Sequence, residues 1–273
     1  MVSQGDGVAV TTADPKTTAI IRDLRKQILE AASRSGEGHV PSAFSILDIL
    51  WVLYDKVLRV SPSAPFAESR DRFVLSKGHA SLGLYAVLAA KGFIAQQELI
   101  GFGSLESRLG GHPDFRKLPG VEASTGSLGH GFPIAVGMAL GMRINKRNAR
   151  VFCLIGDGEA NEGSIWEAMA LAAHHRLDNL CTIIDYNHST DRALDLGDIG
   201  SKATAFGWAI CEIDGHSHAD ILSAVNTHVD GKPLCIVANT IKGHGVPAME
   251  GDPAWHHRSP TASELPNLLA SLS

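Results

Sequence analysis

The sequence is poor in cysteine and in long apolar runs, and both shortages limit what the protein can be. Only 4 of its 273 residues are cysteine. They lie in apolar, strand-like segments without CxxC or Cys/His ligand spacing, which favours buried structural thiols over metal ligands or redox centres. No apolar stretch approaches the roughly 20 residues that span a bilayer, and the first segment, MVSQGDGVAVTTADPK, has no apolar signal core. These absences predict a cytoplasmic protein with no membrane partner.

The sequence also lacks a strong charge of either sign. Its formal net charge is −5, and no Lys/Arg cluster alternates with aromatic residues, which are 6% of the chain. Nucleic acid is therefore not expected as a partner. Apolar residues make up 44%, enough at this length for one large globular domain. Histidine is abundant, with 13 residues, and several lie beside glycines in loops, which favours a histidine-lined site.

Residues 151–190 have the pattern of a β-α-β unit. The first apolar run ends in Gly-Asp-Gly at 156–158, a helical pattern follows, and a second apolar run ends in Asp-Tyr-Asn at 185–187. Successive parallel strands point the same way, so Asp157 and Asn187 should lie at the same edge of the sheet, just past the strand ends.

One carboxylate and one amide oxygen brought together in this way suit a hard divalent cation that also holds phosphate oxygens. Gly156 and Gly158 have no Cβ, so their backbone could take positive φ and come close to a diphosphate near the following helix N-terminus. Gly-Asp-Gly by itself is also ordinary turn chemistry, so this motif alone does not decide the function.

Strand and helix patterns alternate along the rest of the chain, which predicts an α/β fold: a doubly wound parallel sheet with helices on both faces. The strand-like runs lie at 73–75, 151–155, 180–184, 208–213 and 234–239. Residues 16–273 are expected to form a single domain. Residues 1–15 are expected to be a flexible N-terminal arm, with Asp14 and Pro15 starting a helix.

The KGHA block, residues 77–80, follows a strand-like run and opens a helix. A histidine at such a helix start can donate to a diphosphate oxygen, and the helix N-terminus adds favourable potential. Taken alone, a histidine at position 79 would more often be a structural hydrogen-bonding residue at the helix start.

Several ordered blocks together resemble the transketolases. GDGEANEGSIWEA followed by Asn187 in DYNHST is similar to the family's thiamin diphosphate and metal motif. The similarity extends through SGEGHVPSAFSILDIL, RFVLSKGHASLGLYAVLA, GGHP, STGSLGHGFPIAVGMALG and KGHGVPAMEGDPAWHH, and so covers nearly everything from about residue 22 to residue 257. It implies a thiamin diphosphate-binding fold whose cofactors are thiamin diphosphate and Mg²⁺, or another divalent cation such as Ca²⁺ or Mn²⁺.

The resemblance implies roles for individual residues. The catalytic, substrate-contacting imidazoles are His39, His112 and His256. The metal ligands are Asp157, Asn187 and the backbone carbonyl of Ser189. The cofactor-binding residues are His79, Gly126, Ser127, Leu128, Gly156, Gly158, Glu159, Asn187, Lys242 and His244.

Some positions depart from the family pattern or allow a structural explanation. His130 stands where the family usually has Gln, and Glu37-Gly38 interrupts a shorter Ser-Gly-His form. The glycines of STGSLGHG could admit the cofactor rings or simply allow close helix packing. A surface role is expected for His257.

The family's single-chain members also carry a pyrimidine-binding domain, with the glutamate that activates the cofactor, and a third domain. This sequence has no counterpart of that glutamate. The resemblance therefore implies the N-terminal subunit of a two-component transketolase, which would be inactive alone and would form an α₂β₂ assembly with a C-terminal subunit. The reaction would move a two-carbon ketol unit between sugars or sugar phosphates. The alternatives are a subunit like deoxyxylulose-phosphate synthase or a 2-oxo acid dehydrogenase, and a catalytically silent scaffold.

Overall fold

A computed structural model describes residues 14–191 and 194–272. Within these residues, five parallel strands form one sheet in the order β1-β2-β3-β5-β4. The strands are β1 Arg72–Leu75, β2 Val151–Gly156, β3 Leu180–Tyr186, β4 Ala209–Asp214 and β5 Leu234–Asn239. These match the predicted strand-like runs to within two residues at each end.

Helices connect the strands. The α-helices are α1 Pro15–Ser35, α2 Val40–Ser45, α3 Leu47–Val52, α4 Ser81–Ala90, α5 Gly131–Ile144, α6 Gly163–His174, α7 Ile199–Ala205, α8 His218–Val225 and α9 Leu265–Ala270. In the part of the chain that the structure describes, no helix is both long and apolar enough to cross a bilayer.

The sheet separates two apolar clusters, because successive strand side chains point to opposite faces. In β2, Phe152 and Leu154 pack with α1 to α4, whereas Val151, Cys153 and Ile155 pack with α5 and α6. Helices therefore cover both faces, and the doubly wound α/β prediction is confirmed.

The first helix begins where the sequence indicated. Asp14 accepts hydrogen bonds from Lys16 N at 2.9 Å and Thr17 N at 3.2 Å, and Pro15 occupies the first turn, where its missing N–H costs nothing. Thus the last two residues of the predicted arm cap and begin α1. Residues 1–13, the rest of that arm, lie outside the described residues.

Two local predictions were wrong. The apolar run from Ile46 to Val57, which Ser42 could cap, predicts one helix. In the structure, helical residues begin at Val40, break at Ile46, where φ is −109° and ψ 0°, and end in a π-helical turn over Leu53–Val57. Four buried thiols were also expected. Cys153, Cys181 and Cys235 are buried, but Cys211 is only half-buried because β4 is an edge strand.

Strand order decides which loops meet. Because β2 lies between β1 and β3, the Ser76–Ala80 segment after β1 lies at the same edge as the loops after β2 and β3. Because β5 pairs with β3, the segment from Thr240 to His244 joins them. This carboxyl edge of the sheet carries the candidate site.

Candidate active site

Asp157 and Asn187 lie side by side at the carboxyl edge. Asp157 Oδ2 accepts a hydrogen bond from Ser189 N at 3.0 Å, and Asn187 Oδ1 accepts from the same amide at 3.2 Å. Both oxygens therefore converge on one point, as the β-α-β pattern predicted. Asp157 is only 3% exposed, and its other oxygen accepts from Gly158 N at 2.7 Å.

The Asp157 carboxylate is electrostatically suited to a cation. Burial, followed by the negative charge of Asp185, raises its pKa above the usual range, although the amides of Gly158 and Ser189 oppose this. A divalent cation against Asp157 would offset both effects.

His188 lies between two predicted metal ligands, the Asn187 side chain and the Ser189 carbonyl, and its backbone conformation is unusual. Its φ is +59°, a conformation that few non-glycine residues adopt. The ring packs 4.3 Å from the Tyr186 ring, and its Nδ1 lies 2.8 Å from Asp191 Oδ2. These contacts hold the sharp turn that brings Asn187 and Ser189 to the same carboxylate.

Asp185 orients the Asn187 amide, and sequence reasoning gave it no role. It accepts from Asn187 Nδ2 at 2.9 Å and Ser45 Oγ at 2.8 Å, and also from Lys77 Nζ and Thr240 Oγ1. Burial alone would raise the pKa of Asp185, but Lys77 and these hydrogen bonds outweigh it and lower the pKa. Since Nδ2 is held inward, Asn187 Oδ1 is left to face Asp157.

The glycines of the Gly-Asp-Gly turn act differently from the prediction. Neither Gly156 nor Gly158 has positive φ, since Gly156 is the last residue of β2 and Gly158 opens a 3₁₀ turn. A Cβ on Gly158 would come within 2.5 Å of Thr190 Cγ2. Gly158 is needed because the DYNHST loop packs directly on it.

Glu159 ties three loops together beneath the site. It is 1% exposed and accepts from Gly129 N at 3.0 Å, from Gly156 N at 3.3 Å and from Ser76 Oγ. Burial raises its pKa despite these donors. These contacts make Glu159 a positioning residue for the loops that carry His79 and Asp157.

His39 and His256 form the centre of a histidine cluster. His39 Nδ1 lies 3.1 Å from the His256 carbonyl oxygen, and Lys242 Nζ lies 2.8 Å from His256 Nδ1. Burial, then the charge of Lys242, lowers the pKa of His256 to about 4. Burial also lowers the pKa of His39, so both rings are neutral near pH 7.

His79 and His257 complete this cluster. The His39 ring centroid lies 5.0 Å from that of His79 and 4.9 Å from that of His257. Burial, reinforced by the charge of Lys77, lowers the pKa of His79 to about 2, which keeps it neutral. His257 is exposed, as a surface position requires, and its ring also packs against His39; its place beside His256 in AWHH was a usable signal for that contact.

His112 and the STGSLG loop contact each other. The ring of His112 packs on Gly126, where a Cβ would meet His112 Cδ2 at 3.2 Å. His112 is exposed and contributes to the lowered pKa of His39. Ser127 is exposed and Leu128 half-buried.

Two further positions have simple geometry. The Leu128 carbonyl lies 3.0 Å from Nδ1 of His130, which is exposed at the start of α5. In the Glu37-Gly38 insertion, Gly38 has a φ of +112° and packs against Leu82. The loop therefore depends on glycine at position 38, immediately before His39.

His244 lies in a different cluster from the other predicted cofactor-binding residues. Its ring stacks on His216, with centroids 3.6 Å apart, and its Nδ1 is 3.5 Å from Glu250 Oε1. These contacts do not support a cofactor-binding role for His244, even though it is only two residues beyond Lys242.

Comparison with known proteins decides the family. A model of the "Transketolase, thiamine diphosphate binding domain" matches residues 16–269. The chain belongs to the transketolase family. It is 38% identical over 256 residues to one of the subunits of apulose-4-phosphate transketolase from Phocaeicola vulgatus, covering 91% of each chain. It is 41% identical over 241 residues to a 6-deoxy-6-sulfo-D-fructose transketolase subunit from a Clostridium species, covering 86% of this chain and 88% of that one.

Longer transketolases match over only part of their length. The human enzyme is 40% identical over 241 residues, which are 85% of this chain and 38% of the human one. The solved transketolase from Leishmania mexicana has a TM-score of 0.85 and 28% identity, covering 93% of this chain and 41% of that chain. The chain thus spans less than half of these transketolases, but most of the two subunits.

The transketolase cofactor, thiamin diphosphate, fits this site. A cavity of 180 Å³ lies beside Asn187 and Ser189 and is also lined by Lys242 and His256. A buried carboxylate with a raised pKa, an amide oxygen held outward and a nearby lysine are an appropriate donor set for a divalent cation and a diphosphate.

Proposed function

We propose that this transketolase-family chain is the diphosphate- and metal-binding subunit of a two-component transketolase, which moves a two-carbon ketol unit from a ketose to an aldose. The observation that carries the proposal is the convergence of Asp157 and Asn187 oxygens next to the neutral imidazoles of His39, His79 and His256. The family match and the length shared with the two subunit relatives support it.

In this proposal Asp157, Asn187 and the Ser189 carbonyl hold the cation, and His79 and Lys242 face the diphosphate side. His79, neutral at all physiological pH values, donates or accepts a hydrogen bond without adding charge. Thiamin diphosphate, when bound, supplies an electron sink for the carbon–carbon bond change. The side chains of this protein bind the cofactor, orient the substrate and exchange protons with it.

The tautomers of His39 and His256 give the site complementary polarity. A carbonyl oxygen only accepts, so His39 must carry its proton on Nδ1, and its Nε2 is left as an acceptor. Lys242 as an ammonium donates to His256 Nδ1, so neutral His256 carries its proton on Nε2 and is a donor. One ring can accept a proton from a sugar hydroxyl while the other donates to a neighbouring oxygen, with His112 at the open side.

The names of the two relatives, each called a subunit, support a second polypeptide as partner. We propose that this partner carries the pyrimidine-binding domain and the activating glutamate, in an α₂β₂ assembly. Sugars or sugar phosphates would be the substrates.

The test is reconstitution. The purified chain should bind no ketose productively and show no ketol transfer alone. Addition of a partner that carries the two missing domains, with thiamin diphosphate and Mg²⁺, should restore turnover over a panel of ketose donors. Robust transfer by this chain alone would refute the split arrangement.

Variants within the reconstituted complex test the residue roles. Asp157→Ala should lower Mg²⁺-dependent cofactor binding, measured by calorimetry, while the chain stays folded. His112→Ala and His256→Ala should lower turnover with cofactor still bound, whereas His79→Ala should weaken cofactor binding first. A complex that assembles but binds no cofactor in its unaltered form would instead indicate a scaffold.

A further inference from the structure

A second hydrogen-bonded cluster lies beside the proposed site and has no role in the chemistry above. Its centre is Asp48 of α3, which is 6% exposed. Its carboxylate faces His216 Nδ1 at 3.2 Å, His218 Nε2 at 2.9 Å and Arg25 Nη2 at 3.0 Å. Burial would raise the pKa of Asp48, but these partners outweigh it and lower the pKa strongly, so the carboxylate is ionised.

The contacts of His216 fix its protonation. The amide of Ile241 donates to His216 Nε2 at 2.9 Å, so this nitrogen must offer a lone pair. In the neutral ring the proton is then on Nδ1, the nitrogen that faces Asp48. The Asp48 carboxylate stabilises this tautomer, and an ordered chain runs from Asp48 through His216 to the Ile241 amide.

That amide belongs to the segment that delivers Lys242 to His256. The Ile241 side chain is 46% exposed, so apolar burial holds this residue only weakly. The backbone around it is anchored by polar contacts: Thr240 N donates to the Tyr186 carbonyl at 3.0 Å, and Gly243 N to the Pro41 carbonyl at 3.0 Å. Between these two contacts, the hydrogen bond from Ile241 N to His216 anchors the residue that precedes Lys242.

We propose that His216 is a positioning residue that fixes the Lys242 segment against the histidine cluster, with Asp48 setting its tautomer. The importance of Lys242 to turnover rests on the proposed function. The placement of Lys242 by His216 does not depend on that function. His218 is a natural comparison, because it contacts the same carboxylate from α8 and its Nε2 faces Asp48 rather than Ile241.

The titration of Lys242 reports its placement. Burial, then the charge of Lys77, lowers the pKa of Lys242 to about 8, from an ordinary 10.5. A segment released from His216 would expose Lys242 to water and return its pKa toward the ordinary value. The rate at which a small acylating reagent modifies Lys242 in the full chain, followed against pH by peptide mass spectrometry, measures this without cofactor or turnover.

We expect half-maximal reactivity near pH 8 in the unaltered chain, a shift of about one pH unit or more upward in His216→Ala, and no shift in His218→Ala. His216→Gln, whose oxygen can reach the place of Nε2, should restore the lower value. His216→Asn keeps a donor for Asp48 but is too short to reach Ile241, so it should not restore the lower value. If His216→Ala does not fold, the Gln and Asn pair decides the question.

An unchanged Lys242 titration in His216→Ala, an equal shift in His218→Ala, or equal behaviour of Gln and Asn would overturn the proposal. The outcome is separable from the proposed function. A shifted titration together with a reconstituted complex that never transfers a ketol unit would refute the transketolase reaction and leave the positioning role standing.

Discussion

At the scale of single residues, the contact between Lys242 and His256 sets the charge and the hydrogen-bonding polarity at the candidate site. Their nitrogen atoms lie 2.8 Å apart, and both carry pKa values lowered first by burial, to about 8 and about 4 respectively. Between these two values the pair consists of an ammonium and a neutral imidazole. This is the charge state in which His256 presents an Nε2–H donor.

A pH dependence follows from the Lys242 pKa. Lys242 keeps its proton below pH 8 and loses it as the pH rises through that value, so kcat/KM of the reconstituted complex should fall on the alkaline side with an apparent pKa near 8. Lys242→Arg stays charged throughout, so its maximal rate can be lower but its alkaline limb should move far upward. A limb at the same pH in both enzymes would assign it to another group.

At the scale of elements, the site depends on two loops that touch. The turn after β2 and the DYNHST loop after β3 share the contact between Gly158 and Thr190. Adjacent strands bring the loops together, but only the absence of a side chain at position 158 lets them close around the Asp157 carboxylate.

Gly158→Ala should force the two loops apart. Because a Cβ would lie 2.5 Å from Thr190 Cγ2, we expect a cost of about 1–3 kcal/mol, seen as a roughly 5- to 150-fold loss of Mg²⁺ and cofactor affinity. Thr190→Ser removes the obstructing methyl group, so the double variant should recover most of the affinity. Gly163→Ala is the matched control, since a Cβ there meets nothing within 4 Å. Equal losses in both alanine variants would show that loop contact is not the cause.

At the scale of the whole molecule, the exposed surface agrees with assembly. Ile134 on α5 is 42% exposed and Leu171 on α6 is 47% exposed, and these helices flank the Gly-Asp-Gly turn. Between them lies a groove of 250 Å³ lined by Pro133, Val136, Ala168 and Leu171, with the polar residues Ser164 and Glu167 also in its lining. Apolar side chains grouped on such a face favour burial against another chain.

We expect the chain to form a homodimer through α5 and α6. The double substitution Ile134→Asp and Leu171→Asp should reduce the mass measured by light scattering from dimer to monomer, because charged groups cannot be buried there without partners. Phe66→Asp, at an apolar side chain 73% exposed in the loop before β1, is the control and should leave the dimer intact. Dimers of equal stability in both variants would place the interface elsewhere.

The sequence by itself determined the fold class, the family and the pairing of Asp157 with Asn187. The physical reason is that these depend on local information: apolar runs set the strands, and turn residues follow directly in the chain. The N-terminal cap of α1 and the strand limits were predictable for the same reason.

Only the tertiary structure decided how distant residues act on one another. Strand order placed Asp185 among Ser45, Lys77 and Thr240, residues that are far apart in the chain, and this fixes the Asn187 amide. The tertiary structure also places the His257 ring against His39, and it places the His244 ring against His216. A short sequence block cannot show this, because the direction of a side chain and the burial that shifts its pKa depend on the elements packed around it.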